Sequence, residues 1–292
     1  MDQQIIELYD AYTHGALERR EFLDRLARVA GGTAAALALL PVLQNDYALA
    51  AVVAEDDPRL SSETTGYDAG GTKLSGYLTR PKGGSRRPAV MVVHENRGLN
   101  PHIRDVARRL AVEGFLAFAV DALSVSGGTP ADEDKAREAI GALDRDATVV
   151  RLAAAVPFLA KHPESTGKVG AVGFCWGGGV VNRLAAAGTG LAAAVAYYGA
   201  QLLAEEVPKI AAPLLLHYAG LDERINAGIP AYEAALKANG KPYELFVYDK
   251  VQHAFNNDTN AARYDKTAAE LAWGRTLAFL QKHLGAPGKQ AR

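Results

Sequence analysis

The chain has 292 residues, 49% of them apolar, so it is long enough to bury one full-sized core, and we expect a single catalytic domain. Its 32 Lys and Arg nearly balance 33 Asp and Glu without any block of like charge, so nucleic acid is not an expected partner. The one cysteine excludes an internal disulfide and any cysteine-based zinc site; it is either a buried filler or a reactive thiol.

Residues 1–57 differ in pattern from residues 58–292, which we expect to form the catalytic domain. Arg19 and Arg20 begin an R-R-x-F-L pattern that resembles a twin-arginine export signal, and an alanine-rich apolar run follows at residues 29–43. Acidic side chains surround the arginines, glycines and a proline interrupt the run, and its length is too short to span a bilayer.

The alternative for this segment is a retained helical arm, with helices at residues 2–12 and 18–40. Such an arm would pack on the catalytic domain or join two copies in a homodimer. A retained arm implies a cytoplasmic protein, and a functional export signal implies a periplasmic one. Neither interpretation includes a membrane span.

The remainder of the chain alternates strand and helix patterns. Residues 72–79 alternate apolar and polar side chains, as an edge strand does. Later patterns predict strands at 89–93, 115–120, 169–174, 191–198, 214–218 and 243–248, and helices at 101–113, within 131–161, at 177–186, 229–238 and 265–284. This alternation predicts an α/β domain with a mainly parallel, doubly wound sheet covered by helices on both faces.

The most informative motif is Gly173-Phe-Cys175-Trp-Gly177, which joins a predicted strand directly to a helix. Flanking glycines permit a sharp turn that exposes the central side chain, as in a nucleophile elbow. A helix N-terminus at Cys175 favours the thiolate form. Glycine-rich phosphate loops have different spacings, so the remaining alternative is an ordinary buried cysteine. The motif predicts that Cys175 is a nucleophile.

Asp222 and His253 follow the next strands, in the chain order nucleophile, acid, histidine that α/β-hydrolase triads have. His253 would act as general base, while Asp222 would fix its tautomer and stabilise the imidazolium. His217 lies within an apolar strand and is predicted to be a core residue. The other histidines lie on polar segments and are predicted to be at the surface: His14, His102, His162 and His283.

The loop after residues 89–93 begins His94-Glu95-Asn96-Arg97. This position normally supplies one of the two main-chain N–H groups that bind the oxyanion, here that of Asn96, with Trp176 supplying the other. A zinc-binding H-E-x-x-H motif would need histidine where Gly98 stands. No metal and no cofactor are therefore expected.

These motifs resemble the dienelactone hydrolase family over residues 58–284. The resemblance rests on His94-Glu95, the Cys175 motif, Leu221-Asp222 and His253-Ala-Phe. It implies an α/β-hydrolase fold with a Cys-Asp-His triad. It also implies that Glu95 contacts the resting thiol and helps to form the thiolate when substrate binds.

The substrate-binding pattern departs from the family's best-known type, which holds a substrate carboxylate with two arginines. The stretch 121–129 contains no arginine, and Asn257 stands four residues after His253, where the second arginine would be. Neutral esters or lactones should therefore react at least as well as their carboxylate-bearing analogues. Arg97 and Arg224 flank the predicted site and, with Asn257, are candidate substrate contacts; the alternative for either arginine is a surface ion pair.

The sequence thus predicts a hydrolase that cleaves a small ester or lactone through an acyl-enzyme. Two alternatives remain open. An acyltransferase or peptidase could use the same triad, because fold and triad do not fix the acceptor. A non-catalytic binding module of the same fold would have no need for the complete set of Cys175, Asp222, His253 and Glu95.

Overall fold

An eight-stranded sheet forms the centre of the computed structural model, which describes residues 1–49 and 52–286. The strands are β1 (Leu60–Asp68), β2 (Lys73–Pro81), β3 (Arg87–Val93), β4 (Leu116–Asp121), β5 (Ser165–Phe174), β6 (Ala193–Tyr197), β7 (Leu214–Ala219) and β8 (Tyr243–Tyr248). Their order is β1-β2-β4-β3-β5-β6-β7-β8. β2 runs antiparallel to β1 and β4, and the remaining neighbours are parallel, which confirms the predicted mainly parallel sheet.

Helices cover both faces of this sheet and form the N-terminal segment. They are α1 (Gln3–Thr13), α2 (Arg19–Ala30), α3 (Thr33–Leu43), α4 (Pro101–Val112), α5 (Glu133–Gly141), α6 (Arg145–Ala153), α7 (Ala155–Ala160), α8 (Trp176–Ala186), α9 (Glu223–Asn226), α10 (Ile229–Ala238) and α11 (Lys266–Leu284). α4 begins where predicted because the Asn100 side chain accepts a hydrogen bond from the Ile103 N–H at 3.0 Å and Pro101 is tolerated in the first turn.

The strands alternate their side chains between two cores. Met91 and Val93 of β3 pack with α5 to α8 and α10, whereas Val90 and Val92 pack with α4 and α11. All four side chains are fully buried, as expected for a central strand covered on both faces. This arrangement is the doubly wound architecture that the sequence predicted.

The sequence pattern missed β1. This strand pairs along its whole length with β2, from Leu60 opposite Pro81 to Asp68 opposite Lys73. Only Leu60 and Tyr67 within it are buried. An exposed edge strand with so few apolar side chains gives little hydrophobic signal.

The predicted N-terminal helix at 18–40 is wrong in one respect, because it is two helices. Gly31 and Gly32 both have positive φ, 82° and 145°, which ends α2 before α3 begins. No single helix in the described part of the chain is long and apolar enough to cross a membrane. α2 taken together with Thr33–Leu49 has the necessary length and composition, but the pair is bent by 110°.

The helices α1 to α3, which we call the arm, have a small core of their own. Phe22 stacks on Tyr12 with ring centroids 4.7 Å apart, and both are buried with Tyr9, Leu26 and Leu43. The arm packs on the domain of its own chain. Whether it also joins two copies stays a prediction, as does the domain boundary after residue 57. Residues 50, 51 and 287–292 of the two predicted segments lie outside the described residues.

Candidate active site

Cys175 lies at the turn between β5 and α8, at the edge of the sheet where the parallel strands have their carboxyl ends. Its φ of 52° and ψ of −116° are strained for a residue with a side chain. A Cβ on Gly177 would lie 2.4 Å from the carbonyl oxygen of His94, so only glycine fits there. The turn aims the thiol into a cavity of about 730 Å³. This geometry is the one that the predicted elbow requires.

Asp222 and His253 meet beside this thiol. The Asp222 Oδ2 atom lies 2.5 Å from His253 Nδ1, and both side chains are buried. Asp222 also begins α9, because its other carboxylate oxygen accepts the Ile225 N–H at 3.2 Å. The carboxylate thereby places the proton of the neutral imidazole on Nδ1 and leaves Nε2 free to face the thiol.

Charge interactions favour a protonated His253. Burial acts to lower the His253 pKa, but the neighbouring Cys175 thiolate and Asp222 carboxylate outweigh it and raise that pKa to about 10. Burial acts to raise the Asp222 pKa, yet the charge of His253 and their hydrogen bond hold it below its usual value. The surroundings therefore favour a His253 imidazolium that the Asp222 carboxylate holds.

Two main-chain amides border the cavity near Cys175. Within the described residues, the N–H groups of Trp176 and Asn96 have no hydrogen-bond acceptor. His94 holds the loop that carries Asn96: its Nε2 accepts the Ala122 N–H at 3.2 Å, so its Nδ1–H donates to the Glu95 carbonyl at 2.7 Å. The His94 ring also stacks on Trp176. These contacts hold Asn96 and Trp176 at the wall of the cavity, and their role as oxyanion donors stays a prediction.

Glu95 is buried behind the site. Its Oε2 atom accepts a hydrogen bond from Asn257 Nδ2 at 2.9 Å, and its Oε1 atom accepts one from the Tyr198 hydroxyl at 3.5 Å. The Asn257 oxygen accepts from the N–H and the hydroxyl of Thr259. Asn257 is thus a buried support of Glu95 and does not line the cavity.

Of the three side chains predicted to contact substrate, Arg224 alone lines the cavity. Arg97 is buried elsewhere, with its Nε atom 2.7 Å from Glu133 Oε2 and its Nη2 atom donating to the Tyr9 hydroxyl at 3.0 Å. The cavity has further charged lining residues that the sequence did not single out: Arg137, Glu138, Arg145, Arg183 and Glu206.

Comparison with known proteins identifies the family. The model of the family described as "Dienelactone hydrolase family" matches residues 74–284. This chain belongs to the dienelactone hydrolase family. Its α/β-hydrolase fold is shared with a Klebsiella pneumoniae crystal structure named "Putative Dienelactone Hydrolase", at 29% identity and a TM-score of 0.70, covering 76% of this chain and 99% of that one.

Curated relatives of the dienelactone hydrolase family extend the comparison. A Saccharolobus solfataricus protein named "Putative carboxymethylenebutenolidase" is 32% identical over 253 residues, covering 74% of this chain and 96% of that protein. "Putative hydrolase fragment YghX" of Escherichia coli is 50% identical over 106 residues, covering 35% of this chain and 91% of the fragment. A second family model, described as "YqhI-like", matches residues 1–32, which include α1 and α2 of the arm.

The resemblance to the dienelactone hydrolase family implied that Glu95 contacts the resting thiol, but the structure differs. Among the described residues, the hydrogen-bond partner of the Cys175 sulfur is His14 of the arm, whose Nε2 atom lies 3.4 Å away. The His14 ring also meets the His253 ring edge-on, with centroids 4.7 Å apart. The arm therefore reaches the centre of the site.

The surface positions predicted for His14 and His102 are wrong. His102 is fully buried, whereas His217 is buried as predicted. His14 is partly buried, and burial together with the positive charges of His253 and Arg224 holds its pKa well below the usual value. His14 follows a short polar helix end, so no local pattern marks it as part of a site.

A second missed residue, Arg263, connects the arm to the domain. This buried guanidinium donates to Asp10 Oδ1 at 2.8 Å and lies 5.2 Å from the centre of the Tyr9 ring. Asn96 adds a hydrogen bond from its side-chain amide to the Thr13 carbonyl at 2.7 Å. These contacts hold the end of α1 over Cys175.

Proposed function

We propose that this protein hydrolyses a small ester or lactone through an acyl-enzyme on Cys175, with His253 as general base and Asp222 as its orienting partner. The observation that carries the proposal is the convergence of the three groups, with Cys175 and His253 at the cavity wall and Asp222 behind His253. Asp222 holds His253 at 2.5 Å, and ligand atoms of His253 and Cys175 lie within 4.8 Å of each other. A nucleophile, a base and an orienting carboxylate in this relation are the parts of a catalytic triad.

The chemistry would proceed in two halves. The thiolate attacks the carbonyl carbon, and the resulting oxyanion accepts hydrogen bonds from the Trp176 and Asn96 amides. The tetrahedral intermediate expels the alcohol, which takes a proton from His253 and leaves a thioester on Cys175. His253 then removes a proton from water, the hydroxide attacks the thioester, and the carboxylic acid leaves as the thiolate re-forms.

Glu95 would assist as a positioning residue of this reaction. Its carboxylate is held by Asn257 and the Tyr198 hydroxyl, and the Tyr198 ring lies 4.9 Å from the His253 ring. A small movement of Glu95 on substrate binding would bring negative charge nearer the imidazolium or the thiol. We expect Glu95→Gln to slow acylation more than it weakens substrate binding.

The expected substrate class follows from the family and the cavity. The relatives are named for dienelactone hydrolase and carboxymethylenebutenolidase, and both names refer to lactone hydrolysis. A cavity of about 730 Å³ accommodates a small ester or lactone. No second function is favoured by a specific contact in the site.

Burst kinetics with a chromogenic aryl ester test the proposal. The wild type should release about one equivalent of phenolate in a rapid phase, because acylation consumes one thiolate per chain. Cys175→Ala should lose the burst and the turnover while it keeps the thermal unfolding midpoint. Iodoacetamide should inactivate the wild type and add one label, since Cys175 is the chain's one cysteine. Unchanged hydrolysis after complete alkylation would overturn the nucleophile assignment.

A further inference from the structure

Three side chains with metal-binding atoms meet where the arm crosses the catalytic site. His14, Cys175 and His253 each offer one ligand atom, and these three atoms lie within 4.8 Å of one another. His14 Nε2 and Cys175 Sγ are 3.4 Å apart. Because His14 belongs to the arm and the other two to the domain, the cluster exists only while the arm is docked.

Both imidazoles are oriented as metal ligands usually are. His14 Nδ1 donates to the Asp10 carbonyl at 2.8 Å, and His253 Nδ1 is held by Asp222 at 2.5 Å. Ligating histidines typically donate their second ring N–H to a carbonyl or carboxylate in this way, which directs the other nitrogen at the metal. Once His253 Nε2 has lost its proton, the Nε2 atoms of both rings can share one ion with the thiolate.

The His253 Nε2 atom supplies independent support. Its side chain is only 1% exposed, yet this nitrogen has no hydrogen-bond partner among the described residues. A buried, unpartnered nitrogen is costly to leave unsatisfied. A metal ion placed between His14 and Cys175 would satisfy it.

The spacing suits zinc. Tetrahedral Zn²⁺ binds sulfur at about 2.3 Å and imidazole nitrogen at about 2.0–2.1 Å, so its ligands lie roughly 3.3–3.6 Å apart. The His14–Cys175 separation of 3.4 Å already falls in this range. The third ligand, which lies within 4.8 Å of the other two, needs a shift of about 1.5 Å at most to reach the range. The cavity beside Cys175 leaves the fourth position open to water.

We propose that His14, Cys175 and His253 form a binding site for one zinc-like divalent ion, which the docked arm completes over the nucleophile. Binding releases to water the proton that Cys175 and His253 share and occupies the His253 nitrogen, so a chain that holds the ion cannot attack an ester. One thiolate and two imidazoles favour Zn²⁺ over Mg²⁺ or Ca²⁺, which prefer oxygen ligands. The proposed site differs from the expectation from sequence that no metal binds. No local motif could indicate it, because His14 and Cys175 are 161 residues apart.

Cobalt substitution tests the site without any substrate. One Co²⁺ per chain should bind the full-length, metal-free protein and give a near-ultraviolet thiolate-to-cobalt band, and Zn²⁺ should displace it. Cys175→Ala should lose the band. His14→Ala and His14→Gln should each weaken Zn²⁺ binding, measured by calorimetry, by on the order of 100-fold, because one of three protein ligands is gone.

The matched control is His162→Ala, which removes a partly exposed histidine at the opposite end of β5 from Cys175 and should leave metal affinity unchanged. Wild-type affinity and band intensity in both His14 variants would overturn the proposal, as would the absence of a thiolate band in the wild type. These measurements do not depend on turnover. If the chain proves not to hydrolyse esters, the metal site can still stand, and an active enzyme without the cobalt band would refute the metal site alone.

Discussion

The arm and the hydrolase domain border the same cavity, but different forces hold them in place. Two continuous hydrophobic cores cover both faces of the central strands, so the sheet is stabilised without packing contacts from the arm. The arm has one small core, and it reaches the domain largely through polar contacts such as Asp10 with Arg263 and Thr13 with Asn96. Changes in pH or in single polar residues should therefore affect the docking of the arm before they affect the domain.

This difference also separates two kinds of contribution to the site. The groups proposed to make and break bonds, Cys175, Asp222 and His253, belong to the domain. The arm contributes His14, which covers the thiol and meets the His253 ring. Variants that act on one region and leave the other intact can test whether the two contributions are separable.

The largest expected effect on kcat/KM is that of a substitution within the domain. Asp222→Asn should reduce kcat/KM by on the order of 10³-fold or more, because the amide no longer holds the His253 tautomer or stabilises its charge. Asparagine retains an oxygen for the Ile225 N–H, so α9 should still begin at the same place. Steady-state kinetics give the loss, and hydrogen exchange of α1 should show an arm that is still docked.

Asp249→Asn is the matched control, since this exposed carboxylate lies close in sequence to His253 without touching it. Its kcat/KM should equal that of the wild type. An Asp222→Asn enzyme with nearly full activity would remove Asp222 from the triad.

The second effect concerns the arm. Phe22→Ala should cost about 3–5 kcal/mol of packing within the small core where Phe22 stacks on Tyr12. That loss is large for three short helices, so trypsin should cut at the exposed arginines of α2 much faster than in the wild type. The thermal unfolding midpoint of the domain should not change.

Leu37→Ala provides the comparison, because the Leu37 side chain is 55% exposed and its removal leaves no cavity. Equal trypsin sensitivity in the two variants would show that the core of the arm does not hold it in place. A lowered midpoint for the domain in Phe22→Ala would show that the two regions unfold together.

The sequence predicted the centre of the domain better than it predicted the edge of the sheet or the docking of the arm. The central strands and the Cys175 turn were predictable because buried strands are continuous apolar runs and the elbow needs glycine at fixed places. β1 was not, since its one buried tyrosine and one buried leucine give no period. The contact between His14 and Cys175 spans 161 residues and depends on how the arm docks, which local patterns do not encode.

The third prediction uses pH to act on the arm. The pKa of His14 lies well below its usual value of 6.5 while the arm is docked, so a docked His14 is neutral and a released one takes up a proton in acid. The neutral His14 thereby contributes to the free energy of docking. This contribution is fully present above pH 6.5 and decreases as the pH falls below it, by up to about 1.4 kcal/mol per pH unit. Hydrogen exchange of α1, corrected for intrinsic rates, should accelerate as the pH falls from about 6.5 to about 5.5.

His14→Gln should abolish most of this acid response, because glutamine does not titrate in this range. The His253 contribution runs the other way: its raised pKa of about 10 gives stability that is present below 6.5 and is lost as the pH rises through 10. Acid release of α1 that persists in His14→Gln would assign the effect to another group.

The smallest expected effect concerns the charge of the substrate. Of the side chains predicted to contact substrate, the structure leaves Arg224. Arg97 pairs with Glu133 and donates a hydrogen bond to Tyr9, and Asn257 donates one to Glu95, so neither faces the cavity. Arg224 lines the cavity but is exposed, and its attraction for an anion competes with water.

Exposed ion pairs contribute about 1 kcal/mol or less, which corresponds to a change in kcat/KM of about fivefold at most. Neutral lactones should therefore react at least as well as carboxylate-bearing analogues, and Arg224→Ala should reduce only the rate for the anionic substrate. Arg145→Ala is the matched control, because it removes another exposed arginine at the cavity wall. An anionic substrate preferred by a hundredfold, with the preference lost in Arg224→Ala, would mean that Arg224 becomes buried against the carboxylate when substrate binds, since only a desolvated pair reaches that strength.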